Sequence, residues 1–174
     1  MEQSPAGTEH RLPAGPGSGY LLPGLELRHP DGQPAPLWAY RGRGPLVVYL
    51  HEVAAPDGQG YLAMLAAARR RFEELGARVV VVASAPVDGV PLISLVDPTQ
   101  RLAQRLAADG LLPQPAPPAI LVVGRTGEVW AVWAGSYATL PGEPELVEWL
   151  EYALSECREC FCCELVWPSE WLRG

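Results

Sequence analysis

The sequence predicts an α/β fold, a central mixed sheet flanked by helices. Leu46–Leu50, Arg78–Ala83 and Ala119–Val123 are short apolar runs suited to strands buried on both faces. Tyr61–Leu75 and Glu143–Ser155 repeat apolar residues at helical spacing. Strand and helix signals follow one another along the chain, the pattern of helices packed on a sheet.

The elements follow in order. Leu25-Glu26-Leu27-Arg28 alternates apolar and polar residues, and Asp31-Gly32 turns the chain into Pro36-Leu37-Trp38, so a small hairpin is expected. Leu46–Leu50 gives the first buried strand, and residues 54–60, with their proline and glycines, are expected to be a loop. Tyr61–Leu75 then presents Leu62, Leu65, Ala68 and Phe72 on one side, with Gly76 placed to end the helix. Arg78–Ala83 is a second buried strand and Leu92–Val96 a third. Asp97 is expected to cap a helix over Pro98–Ala107, because proline fits the first helical position. Ala119–Val123 follows a proline-rich stretch, and Thr126-Gly127 turns it into an antiparallel partner, Glu128–Trp133. In the last helix Glu143 and Glu145 suit the N-terminal dipole, and Leu146, Trp149, Leu150 and Ala153 share a face.

With 174 residues the chain fits one domain with tails. The expected division is a Pro/Gly-rich flexible tail over residues 1–19, a domain over 20–156 and a Cys/Trp-rich tail over 157–174. The net charge of −7 argues against nucleic acid and anionic membranes, which need a basic face. Arg69-Arg70-Arg71 is short, and on a helix its members diverge, so it reads as a solvated face. All 13 basic residues are arginine and no asparagine occurs; together with loop prolines this fits a thermophile. No apolar run has transmembrane length, and Met1–Pro5 has neither a basic start nor an apolar stretch behind it, so no signal peptide is expected. The expected location is cytoplasmic, where thiols stay reduced.

The hairpin Gly24–Leu27 with Asp31-Gly32, the strand Val47–Leu50, the phrase Leu95-Val96-Asp97-Pro98 and the stretch Pro118–Val129 together resemble the peroxiredoxin-like (redoxin, AhpC/TSA-type) branch of the thioredoxin fold. The resemblance spans about residues 20–155 and implies a thioredoxin-like sheet with an N-terminal β-hairpin. It also implies a catalytic cysteine just after the first long strand, where a helix N-terminus lowers a thiol pKa. Ala54 and Asp57 occupy the two places of a Cys-x-x-Cys there, and neither can form a thiolate. The resemblance matches Pro118 to the fold's cis-proline, and Tyr49, Glu52, Asp57 and Pro118 to the lining of a vestigial groove. Two departures stand out. No arginine matches the one that steadies a peroxide-reacting thiolate, and Ser84–Pro91 is too short for the helix usually found between those strands.

His51 and Glu52 fall at the C-terminal edge of a central strand, where α/β folds bind ligands. With Asp57 they are candidates for a polar pocket or acid–base pair, set against an ordinary loop of a lost site. The first 156 residues contain no cysteine; all four lie at Cys157, Cys160, Cys162 and Cys163. Four thiolates suit zinc or an iron–sulfur cluster, and zinc is the cofactor this cluster suggests. The alternatives are a redox pair, Cys157 with Cys160, and cysteines that only pack beside Phe161, Trp167 and Trp171. The apolar tail is also a candidate surface for a protein partner or homodimer, or for packing on its own domain. Two functions follow: a non-catalytic binding or structural module on a redoxin frame, or a thiol–disulfide oxidoreductase using the C-terminal pair.

Overall fold

The computed structural model describes residues 20–116 and 118–156. The expected tails, residues 1–19 and 157–174, lie outside the described residues, and with them the whole cysteine cluster. The described chain forms seven strands and three helices. These are β1 (Glu26–Arg28), β2 (Pro34–Pro36), β3 (Leu46–His51), α1 (Pro56–Glu74), β4 (Arg78–Ala83), β5 (Ile93–Val96), α2 (Arg101–Ala108), β6 (Ala119–Val123), β7 (Val129–Ala134) and α3 (Glu143–Glu156). The strands make one mixed sheet in the order β2-β1-β5-β4-β3-β6-β7. β3, β4 and β5 run parallel, with Leu46 opposite Arg78 and Ala83 opposite Val96; β6 joins β3 antiparallel, with Leu50 opposite Ala119.

β3 shows why its sequence reads as one apolar run. All six of its residues are buried. Val47 and Tyr49 enter the core under α1 and α3, with Leu62, Leu65, Phe72, Leu146 and Leu150. Leu46, Val48 and Leu50 enter the opposite core, with Leu27, Leu37, Leu102 and Leu106. A strand covered on both faces has no polar face for alternation to mark. Along the exposed side of α1, Arg69 and Arg70 pair with Glu73 and Glu74 one turn on, and Arg71 lies within 4 Å of Glu74 and Glu151. The arginine run is a solvated, charge-balanced face.

Three boundaries differ from the sequence reading by more than one residue. The loop expected over residues 54–60 ends at Ala55, because α1 begins at Pro56. Proline is tolerated at the first helical position, where its missing N–H would have no partner anyway, and Asp57 suits the positive end of the dipole. The second helix starts at Arg101 rather than Pro98, after a turn in which the Gln100 N–H donates to the Asp97 carbonyl. Asp97 still satisfies this helix from a distance: its Oδ2 accepts the Leu102 N–H at 2.9 Å. The second hairpin arm stops at Pro36, and Leu37–Tyr40 winds into a 3₁₀ turn that buries Leu37.

The link between β4 and β5, residues 84–92, contains no helix. Val87, Val90 and Leu92 pack from it onto the α1/α3 core, covering the sheet that a crossover helix would cover. Gly76, at φ +69, ends the first helix and meets Gly44, whose φ is +131. A Cβ on Gly44 would sit 2.1 Å from the Gly76 carbonyl oxygen, so this close crossing of two loops requires glycine.

Candidate functional site

The C-terminal ends of β3, β4 and β5 open into a cleft of about 430 Å³. Parallel strands end here together, and the loops that leave them diverge, which is where α/β sheets leave room for ligands. Glu52, Ala54, Ser84, Asp97, Gln100 and Pro118 contribute to its walls, with Leu50, Val82 and Leu102 as an apolar floor. Among the described residues no arginine lines the cleft, and the acidic side chains that do are Glu52 and Asp97.

His51 lies at the junction of β3 and this cleft. Its side chain is 5% exposed and shares a hydrogen bond of 3.1 Å between Nδ1 and the Tyr49 hydroxyl. Nε2 has no hydrogen-bond partner among the described residues. Burial pushes the imidazole pKa below its usual value, and the Glu52 carboxylate works weakly in the other direction. The ring is therefore neutral at pH 7. Burial also holds the Tyr49 and Tyr61 phenols far above the ordinary tyrosine range, so both remain hydroxyls. Tyr61 donates its hydroxyl to the Pro141 carbonyl at 2.7 Å, and its ring tilts against Tyr49 at 5.2 Å. Gly58, in the first turn of α1, closes over this group: a Cβ there would lie 2.7 Å from the Tyr137 hydroxyl and 3.0 Å from His51 Cε1.

Of the residues the sequence marked for the groove, Glu52 and Pro118 line the cleft together, and Ala54 joins them. Tyr49 does not line it. Its side chain is fully buried on the other face of the sheet, because it alternates with Leu50, which does face the cleft. Asp57 is exposed in the first turn of α1 and is not part of the cleft wall. The sequence reading missed Ser84 and Gln100 as lining residues and saw Asp97 only as a cap. Asp97 is 1% exposed, and its carboxylate lies 3.5 Å from Arg101 Nε. Gln100 holds a left-handed backbone at φ 53. Neither feature has a sequence signal beyond the Asp-Pro turn that precedes them.

The peptide bond entering Pro118 begins at Pro117, which lies outside the described residues; among those described, the cis bond is Gln114–Pro115. No group of three or more His, Cys, Asp or Glu side chains among the described residues is placed to hold a metal ion. Cys157, Cys160, Cys162 and Cys163 lie outside the described residues. Among the described residues no helix is long and apolar enough to cross a membrane.

Comparison of the whole fold with solved structures finds peroxiredoxin Q of Xanthomonas campestris at TM-score 0.60 and 17% identity, covering 74% of this chain and 92% of that one. Peroxidoxin BcpB of Mycobacterium tuberculosis matches at TM-score 0.62 and 18% identity, covering 80% and 97%. A Chlorobium tepidum protein assigned as a thiol:disulfide interchange protein DsbE matches at 0.60 and 16%, covering 77% and 95%. The fold is thioredoxin-like. It is the form seen in peroxiredoxins and DsbE-type proteins, as the order of sequence elements implied. At these identities the likeness concerns the fold alone. No protein-family model matches the sequence, and comparison with curated proteins finds no match.

Proposed function

We propose that this protein is a non-catalytic binding module on a redoxin frame, with the cleft beside Glu52 and Pro118 as its ligand site. One observation carries the reading. The loop and first helical turn that follow β3 read Ala54-Ala55-Pro56-Asp57, and residues 20–156 contain no cysteine. A helix N-terminus activates a thiol by stabilising the thiolate, and here the dipole has no thiol to act on. What remains among the described residues is an open cleft with the carboxylates of Glu52 and Asp97 in its wall.

The C-terminal cysteines enter this proposal as a separate centre, with zinc as the candidate ion. Chain length supports keeping them apart from the cleft. α3 starts near the cleft end of the sheet, where Glu145 accepts the Trp133 indole N–H at 3.1 Å. Its last turn, with Ala153 and Leu154, lies beside Gly44 and Pro45, at the opposite end of β3. The helix has 14 residues, or about 21 Å at 1.5 Å each. Cys160, four residues beyond Glu156, has at most about 14 Å of extended chain. The oxidoreductase alternative therefore needs its Cys157–Cys160 pair to act away from the cleft or on a second molecule.

Metal and free-thiol counting on purified protein, with a peroxidase assay using a dithiol donor, tests the reading. The expected outcome is bound zinc and no peroxide turnover above background. Turnover that survives replacement of all four cysteines would mean that the cleft itself is catalytic. Two thiols that cycle with reductant, without metal, would favour the oxidoreductase.

A further inference from the structure

A second concavity, of about 420 Å³, lies at the end of the sheet away from the cleft. It is walled by Arg43, Pro45, Leu75, Arg125, Ala153 and Leu154. Leu75 belongs to the end of α1, and Ala153 and Leu154 to the last turns of α3. Arg43 and Arg125 are exposed on its rim and make no ion pair among the described residues. Among the described residues the groove thus offers aliphatic walls and two guanidinium groups without an ion pair, and no carboxylate lines it.

The chain supplies a matching segment at this place. α3 delivers residue 156 beside the groove, and the residues that follow carry Phe161, Leu165, Val166 and Trp167 together with Glu159 and Glu164. We infer that the segment Glu159–Trp167 folds back into this groove, with its apolar side chains against Leu75 and Leu154 and Glu159 and Glu164 toward Arg43 and Arg125. Trp167 is eleven residues beyond Glu156, a reach of at most about 40 Å, so the return is sterically open. Opposite charge on the rim favours this occupant over a basic partner, and tethering raises the segment's local concentration to the millimolar range.

Trypsin tests this directly, because the chain contains arginine and no lysine, and Arg158 is the cleavage point between α3 and the apolar segment. In the full chain, cleavage at Arg158 is expected to be slow. In the Arg43→Glu/Arg125→Glu variant it is expected to accelerate at least about tenfold, by loss of the opposite charges that hold the segment. A Leu165→Asp/Trp167→Asp variant, which leaves every described residue in place, is expected to speed amide exchange over residues 42–45 and 75–77 by a similar factor. Equal Arg158 cleavage in all variants, with unchanged exchange, would overturn the inference. So would protection that scales with protein concentration and a dimer mass, because a second copy would then fill the groove.

Discussion

Asp97→Ala is the substitution whose cost the structure allows to be worked through. The carboxylate is buried, accepts the Leu102 N–H at 2.9 Å and lies 3.5 Å from Arg101 Nε. The first bond is charge-assisted and serves an otherwise unpaired helix N-terminal donor, worth about 1.5–3 kcal/mol. The ion pair adds less than about 1 kcal/mol, because the Arg101 side chain is 52% exposed and well screened. Relief from burying the carboxylate offsets part of the loss. The net expectation is a destabilisation of about 2 kcal/mol, or roughly 4–8 °C in Tm for a domain of this size. Asp97→Asn keeps an acceptor for Leu102 and is expected to cost about half as much. Chemical denaturation with an unchanged m-value is the assay. If Ala and Asn are equally damaging, the charge and Arg101 matter more than the cap. If Asp97→Ala lies within about 0.5 kcal/mol of the parent, the capping argument is wrong.

Three further outcomes follow from the site and its surroundings. His51 is held neutral, so the unfolded state binds a proton more readily than the folded one, and stability is expected to fall as pH drops below the unfolded value near 6.5. Parallel denaturation curves at pH 7.5 and 5.5 should show that loss in the parent and a smaller one in His51→Phe; an identical loss would assign it to other groups. Gly58→Ala gains helix propensity of about 1 kcal/mol but places a methyl group 2.7 Å from the Tyr137 hydroxyl, so a net loss of about 1 kcal/mol is expected; a stabilised variant would show that Tyr137 yields freely. Gly44→Ala forces a left-handed φ of +131 on alanine and a 2.1 Å clash with backbone, so a loss of about 4 kcal/mol is expected, read as a collapse in soluble yield or Tm.

The strands and helices that are long, apolar and buried are legible in the sequence alone. β3, β4 and β6 read as continuous apolar runs because each is covered on both faces, so the signal did not depend on knowing the neighbours. The order of these elements carried the likeness to redoxins, and the absence of cysteine before position 157 is a property of the sequence alone. Tertiary structure decided which residues meet. Tyr49 and Leu50 are adjacent in the chain, yet strand alternation sends Tyr49 under α1 and leaves Leu50 in the floor of the cleft. Asp97, Gln100 and Pro118 come together because β5 and β6 lie on opposite sides of the β4–β3 pair, a neighbourhood that no local spacing encodes. The helix start at Pro56 was missed for a related reason. Gly58 and Gly60 look like loop residues in isolation, while packing of Gly58 against His51 and Tyr137 overrides their weak propensity. Local physics thus fixed the segments, and long-range packing fixed the site.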